Sequence, residues 1–156
     1  MFLKRFQAIL IVSVCAASLI VTPANAAPSL SLPFASLEDA QSLVQAALST
    51  PTAVCESAAA GCMMRDGENV VGVSVSESLD QVDLFCVLEK DSPGRKTFTT
   101  ACLHAELALG MSFEYATTCA QTHQDNRRIG DLDFECSLLP APDILAITVK
   151  VVPHVD

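Results

Sequence analysis

Two residues of the segment CLHAEL, His104 and Glu106, are the candidates in this sequence for acid–base chemistry. If the segment is a strand, a spacing of two places both side chains on one face, where an imidazole and a carboxylate can exchange protons with a substrate. The same spacing fits a solvated polar face, and the sequence contains no GxSxG, HExxH or glycine-rich phosphate loop. We therefore expect no catalytic residue, no cofactor and no enzymatic activity.

Cysteine is the other residue type whose number and spacing matter. Cys15 lies in an N-terminal apolar run, and six cysteines follow it: Cys55, Cys62, Cys86, Cys102, Cys119 and Cys136. An even number in an exported chain favours three disulfides, although six cysteines can be connected in many ways. Zinc ligands usually occur as closely spaced pairs, and the nearest approach to this pattern is Cys119 with His123. We therefore expect disulfides and no metal.

The clearest turn signal suggests one of the disulfides. Cys86 and Cys102 are nearly symmetric about the sequence SPGR at 92–95, where Pro93 and Gly94 suit the centre of a type II turn. The fit is off by half a residue, so a bulge or a wider loop is needed. This symmetry favours a disulfide that joins the two strands of a hairpin.

The other four cysteines follow the same logic. Cys119 and Cys136 are symmetric about the polar loop 124–130, which favours a second disulfide across a turn. Cys55 and Cys62 then remain and would close the small loop CESAAAGC. The favoured pattern joins each cysteine to its nearest neighbour, although sequence alone leaves the connectivity formally open.

The N-terminus predicts the compartment. Lys4 and Arg5 precede the apolar run 8–21, and the small residues of Ala24-Asn25-Ala26 follow it. This three-part pattern is typical of a secretory signal peptide, here residues 1–26. The run is shorter than the about 20 apolar residues of a membrane span. We expect a secreted, extracellular protein, or a periplasmic one if the source is bacterial, with no membrane span after cleavage.

The charge of the chain excludes several classes of partner. Nine basic residues stand against 18 acidic ones in the full sequence. Cleavage after residue 26 would remove Lys4 and Arg5, so that nine minus two leaves seven basic residues and a formal charge of −11. A chain this acidic repels phosphate backbones and anionic lipid. We therefore expect no nucleic acid and no membrane surface among its partners.

The segment 27–68 is predicted to hold an N-terminal arm, one short helix and the small disulfide loop. The helix is expected over about 37–48, with Ser36 as its N-cap and acidic residues in its first turn. Pro51 ends it, because the residue before a proline avoids helical geometry. From residue 69 onward the hydrophobic period changes to two, which is typical of half-buried strands.

The segment 69–156 is therefore predicted to be an antiparallel β domain. Its six candidate strands are 69–77, 81–90, 96–109, 111–119, 131–139 and 143–152. The segment 96–109 fits least well, since its tail CLHAELAL could form a short helix instead. The predicted fold class is all-β, an antiparallel sandwich or barrel of about six strands, stabilised by disulfides and preceded by one short helix.

Two polar segments are the candidate contact surfaces. Pro93, Gly94 and Arg95 lie in the turn between Cys86 and Cys102, and Arg127 and Arg128 lie in the loop 124–130. Adjacent arginines can bind a carboxylate or a sulfate in bidentate fashion, or they can simply offset nearby acids. Because loops on a rigid sheet often carry binding function, these five residues are the predicted binding residues.

The pattern VDLFC, a cysteine after fifteen residues, the later DFEC and the final apolar strand ITVKVVP resembles the Alternaria-allergen-like family of small secreted fungal proteins. The resemblance covers 81–153. It implies an all-β barrel with disulfides, and a non-enzymatic protein that acts at a host surface or binds small ligands. The chain departs from the family in the short segment between Cys102 and Cys119, in the pair Cys55/Cys62 and in the helix near 37–48. The resemblance implies no catalytic residue.

We expect a secreted, non-catalytic binding or interaction protein. Its partner would be an extracellular protein, a polysaccharide such as a cell-wall component, or a small apolar ligand. An alternative is an inhibitor of secreted hydrolases, which would present the segment 91–96 or 124–130 to an enzyme. A less favoured alternative is a small hydrolase that uses His104 and Glu106.

Overall fold

The computed structural model describes residues 30–56, 58–122 and 124–156 of the chain. The predicted signal peptide and His123 lie outside the described residues. Within the described part, no helix is both long enough and apolar enough to cross a membrane. The described elements follow one another as α1 (Leu37–Ala47), β1 (Val54–Glu56), β2 (Gly61–Asp66), β3 (Asn69–Val75), β4 (Val82–Glu89), α2 (Arg95–Ala108), α3 (Phe113–Thr122), β5 (Gln124–Ile129), β6 (Leu132–Pro140) and β7 (Ile144–Pro153).

The seven strands form one antiparallel sheet in the order β1-β2-β3-β4-β7-β6-β5. The prediction of an antiparallel, disulfide-stabilised sheet preceded by a short helix is confirmed. The layer over this sheet is built of helices: α1 contacts β2 and β3, α2 contacts β3 and β4, and α3 contacts β5 and β6. The sheet also takes in β1 and β2, which belong to the segment predicted as the N-terminal region 27–68.

Helix α1 forms where the sequence predicts it. The Ser36 hydroxyl oxygen accepts a hydrogen bond of 3.2 Å from the Asp39 backbone N–H, and Glu38 and Asp39 lie in the first turn. This cap satisfies one of the free N–H groups at the start of the helix and places negative charge at the positive end of its dipole. Ala40 and Val44 are buried at a spacing of four, so one face of α1 packs against the core.

The burial of one face of the sheet explains why strands β4, β6 and β7 could be predicted from the sequence. Val73, Leu84 and Val149 lie side by side on β3, β4 and β7, and all three are at most 1% exposed. The alternate residues of these strands face the other way, so their sequence alternates with a period of two. Each fully buried valine or leucine contributes about 2 kcal/mol to folding through removal of apolar surface from water.

Two of the six segments predicted as strands, 96–109 and 111–119, are helices, and the alternative of a helix for the tail of 96–109 is confirmed. In α2, Phe98, Ala101, Cys102 and Ala105 are buried at helical spacing. The sequence around α3 places Met111, Tyr115 and Cys119 in the core at a constant spacing of four. A period of four is also twice a period of two, so the pattern fits one face of a strand or one face of a helix.

Three strands were missed by the sequence analysis. The hairpin of β1 and β2 lies in the segment read as a small loop, and β5 is the segment predicted as the polar loop 124–130. Within the part of the chain that the structure describes, strand β5 pairs only with β6, and it joins β6 through Gly130, whose φ of 63° is in the left-handed region that glycine favours. Polar and charged residues are common on edge strands because they prevent pairing with other chains. The sequence of such an edge strand therefore resembles that of a polar loop.

Gly72 accommodates an aromatic ring on the face of the sheet opposite the helices. It pairs with Phe85 across β3 and β4, and a Cβ atom at Gly72 would lie 2.2 Å from Cζ of that ring. We expect Gly72→Val to reduce the free energy of unfolding by about 1–3 kcal/mol, because the ring must move. In a Phe85→Ala background the same change should be neutral or stabilising, since valine suits a strand better than glycine. Urea unfolding of the four proteins measures this coupling, and an equal cost of Gly72→Val in both backgrounds would contradict it.

Candidate ligand-binding groove

An open groove lies between the C-terminal end of α1 and the first half of α2. We call it the α1–α2 groove; its volume is about 640 Å³, within the roughly 300–1,000 Å³ typical of sites for small organic ligands. Its apolar lining consists of Ala47, Leu48, Pro51, Met64 and Ala101. Its polar lining includes Lys96, Thr100 and His104, which stand one helical turn apart along α2.

One wall of the groove is formed where α1 ends. The Leu48 N–H donates to the Val44 carbonyl as the last helical hydrogen bond, and Pro51 prevents the helix from continuing. The chain then turns away, held by a hydrogen bond of 2.8 Å from the Thr50 N–H to the Leu48 carbonyl. The Thr50 hydroxyl points to Met64 Sδ at 3.9 Å, so the turn closes over a residue of β2.

The opposite wall depends on where α2 begins. Asn69 is fully buried; its amide donates to Ser92 Oγ at 2.6 Å and its carbonyl oxygen accepts from the Glu89 N–H at 2.9 Å. The Arg95 N–H donates to the Ser92 carbonyl, which confirms a turn over 92–95. Gly94 has φ −76° and ψ −17°, so the prediction of a type II turn, which needs a positive φ at this position, was wrong. The turn leads directly into α2 instead of reversing a hairpin.

A buried disulfide holds α2 on the sheet. Cys86 of β4 and Cys102 of α2 are 0% and 3% exposed and form the bridge, while the bridge between Cys119 of α3 and Cys136 of β6 is buried in the same way. The three favoured pairs are therefore present, the third being Cys55 with Cys62 in register across β1 and β2. The idea that Cys86–Cys102 joins two strands of a hairpin was wrong, because Cys102 lies on a helix.

His104 and Glu106 do not form an acid–base pair. Two residues along an α-helix are about 200° apart, so the helix turns the two side chains to different sides. His104 is exposed at the groove, and its Nδ1 lies 3.3 Å from the Ala47 carbonyl oxygen. A carbonyl can only accept, so Nδ1 carries the hydrogen of this bond. Glu106 is only 4% exposed, and burial raises its pKa from 4.5 to about 7.

The predicted binding residues of the turn 92–95 are placed at the start of α2. Arg95 donates from Nη1 to the Lys90 carbonyl at 2.8 Å, which ties the turn to the end of β4. Gly94 packs against the β2–β3 turn, since a Cβ atom there would lie 3.2 Å from Asp66 Oδ2. Pro93 is exposed. The segment is therefore a turn packed against the β2–β3 hairpin.

Arg127 and Arg128 occupy adjacent positions of β5 and thus point to opposite faces of the sheet. Arg127 forms an ion pair of 2.9 Å with Asp125, and its guanidinium lies 4.8 Å from the ring centroid of Tyr115. Arg128 donates from Nε to the Gly130 carbonyl at 3.1 Å. The two side chains therefore do not converge on one anion.

Tyr115 anchors the β5–β6 hairpin beneath α3. Its hydroxyl is within 3.0 Å of the Asp125 carbonyl and 3.1 Å of the Phe134 carbonyl, and the residue is fully buried. Burial raises its pKa to about 12, and the negative charge of Asp125 adds to the effect. The stacking of Arg127 on this ring therefore serves the fold of the hairpin.

Comparison of the chain with family models, with curated proteins and with solved structures finds no match. The resemblance to the Alternaria-allergen-like family stays a prediction.

Two residues of the groove lining, Lys96 and Thr100, were not among the residues predicted from the sequence. Once 96–109 is read as a helix, the signal is visible: Lys96, Thr100 and His104 recur every four residues and form one polar strip beside the buried positions.

Proposed function

We propose that this chain is a secreted, non-catalytic binding protein, and that the α1–α2 groove binds a small apolar ligand. The observation that carries the proposal is the groove itself, whose size suits a small organic molecule and whose floor is apolar. Met64 lies in the lining and is 2% exposed, and the unbranched side chain of methionine adapts well to irregular ligands. The predicted signal peptide and the three disulfides support export.

The arrangement of polar groups favours binding over catalysis. General acid–base catalysis needs a proton donor and a proton acceptor that converge on one reacting group. In the groove, the His104 ring is already bonded to the Ala47 carbonyl, and the buried Glu106 is turned to another side of α2. The small-hydrolase hypothesis therefore gains no support from this geometry.

The inhibitor hypothesis gains none either. It required a rigid protruding loop at 91–96 or 124–130 that could enter the cleft of an enzyme. The first segment is the turn packed at the start of α2, and the second contains the edge strand β5. The α1–α2 groove has the size and lining of a ligand site, so we propose a small molecule as the partner.

Two neighbouring threonines of α2 provide a matched test of the groove. Thr99 and Thr100 are both exposed, and each donates from its hydroxyl to the carbonyl four residues earlier. Thr100 lines the groove, whereas Thr99 lies outside its lining. We expect Thr100→Trp to fill the groove and weaken binding of a neutral apolar fluorophore, N-phenyl-1-naphthylamine, by about tenfold or more. Thr99→Trp should leave the affinity unchanged.

The measurement is a fluorescence titration of the mature protein and both variants. Circular dichroism checks that the two variants keep the same helix content. Equal affinity of Thr100→Trp and Thr99→Trp, or no binding by the parent protein, would overturn the assignment of the groove.

A further inference from the structure

The charge of the groove lining indicates the chemical class of its ligand, an inference that rests on the proposed function. Every ionisable residue in the lining is basic: Lys96 and His104 are present, and no aspartate or glutamate lies among the described residues that line the groove. The chain as a whole has 18 acidic residues against nine basic ones. The groove is thus a local exception to the acidic character of the protein.

Among the described residues, no acidic side chain forms an ion pair with Lys96. The ion pairs within the described residues join Arg127 to Asp125, Lys150 to Glu135, and His154 to Asp133 and Asp156, and none of them involves Lys96. Its side chain is exposed at the second position of α2, where it lines the groove. An ammonium group in this position is available to an anion that comes with a ligand.

The polar and basic residues of the lining form a strip along α2, and apolar residues lie beside this strip. Lys96, Thr100 and His104 follow one another on successive turns of α2, so the strip extends over about 12 Å from first to last Cα. Ala101 and Met64 lie in the lining beside this strip, and both are buried. A ligand with an apolar tail and one anionic end would place the tail against this floor and the anion at Lys96.

We infer that the α1–α2 groove binds an aliphatic carboxylic acid as its monomeric carboxylate, with the Lys96 ammonium pairing to the carboxylate. The inference depends on the charge complementarity between this anion and the basic residues of the lining, Lys96 and His104. A charge-assisted hydrogen bond at a partly exposed site is stronger than a neutral one and is weakened by salt. The preference for a carboxylate over an alcohol of the same chain length is therefore the property to measure.

The test compares decanoate with decan-1-ol, both below the concentration at which they aggregate, by isothermal titration calorimetry of the mature protein at pH 7.5. We expect decanoate to bind about three- to tenfold more tightly than decan-1-ol at low salt. Lys96→Gln should remove this difference, and Lys96→Arg should retain it. Lys90→Gln is the control for overall charge, because Lys90 is exposed and lies outside the groove lining.

The outcomes separate this inference from the proposed function. Equal binding of decanoate and decan-1-ol, both blocked by Thr100→Trp, would overturn the carboxylate preference and leave the groove as an apolar site. A preference for decanoate that survives Lys96→Gln would overturn the role of Lys96. Failure of both ligands to bind the parent protein would overturn the carboxylate inference, and failure of the neutral fluorophore as well would overturn the proposed function.

Discussion

Replacing Glu106 with glutamine is expected to increase the free energy of unfolding by about 3 kcal/mol at pH 8 and to leave it nearly unchanged at pH 4. Glu106 is 4% exposed and lies one helical turn after Cys102, which the disulfide to Cys86 holds on the sheet. The packing of α2 on the sheet therefore keeps this side chain largely out of water. Burial without a compensating charge disfavours the ionised form.

The direction of the pH dependence follows from proton binding. Burial raises the pKa of Glu106 from 4.5 to about 7. Between these values the native state holds more protons at this site than the unfolded chain, so the free energy of unfolding falls as pH rises. The stabilising contribution of the protonated carboxyl is complete below about pH 4.5 and is lost as pH rises through about 7.

The experiment is urea unfolding of the oxidised protein from pH 4 to pH 8. The difference in unfolding free energy between Glu106→Gln and the parent should grow from near zero to its full value across this range. Glu68→Gln is the control, because Glu68 is exposed in the β2–β3 turn and its removal changes the net charge equally. Parallel pH profiles for the parent and Glu106→Gln would contradict the prediction.

Removal of the Cys86–Cys102 disulfide by paired alanine substitutions is expected to reduce the free energy of unfolding by about 3 kcal/mol. The two cysteines are 16 residues apart in sequence, and the bridge restricts the unfolded chain over that loop. The same bridge joins α2 to β4, next to Ala101 in the groove lining. We therefore expect the affinity of the groove for N-phenyl-1-naphthylamine to fall in this variant.

The control is the paired alanine variant of Cys55 and Cys62. These residues are only seven apart in sequence, and they join β1 and β2 at the edge of the sheet. Their removal should cost about 2 kcal/mol and leave the groove affinity unchanged. Guanidinium unfolding without reductant and fluorophore titration of both variants test the prediction. A larger effect of the edge disulfide on either measurement would contradict it.

The elements that were predicted correctly are those whose sequence carries a single interpretation. Helix α1 has a capping serine, acidic residues in its first turn and a proline after its end. Over 132–138, strand β6 alternates apolar residues with acidic residues or serine, a pattern that no helix could bury on one face. In both segments the local pattern and the tertiary environment point to the same structure.

The disulfide pairs were predicted correctly although two of their elements were not. Two of the favoured pairs were predicted from a turn midway between the cysteines, and a segment of 16 or 17 residues can return to its starting point as a hairpin or as a turn followed by a helix. Cys102 and Cys119 lie on helices that pack over the strands of their partners. The pairs were therefore correct, although the hairpins assumed for them were not.

The sequence by itself determined the antiparallel sheet and helix α1, because alternation and capping are local patterns, and it favoured the three disulfide pairs that the structure contains. The tertiary structure alone decided that 113–122 is a helix, since Met111, Tyr115 and Cys119, spaced four apart, satisfy a strand or a helix equally well. It also decided that 96–109 is helical from its start and not only in its tail. It also decided the candidate site. Lys96 and His104 line one groove with the end of α1 because α2 packs over the sheet as a helix. The same helical rotation buries Glu106.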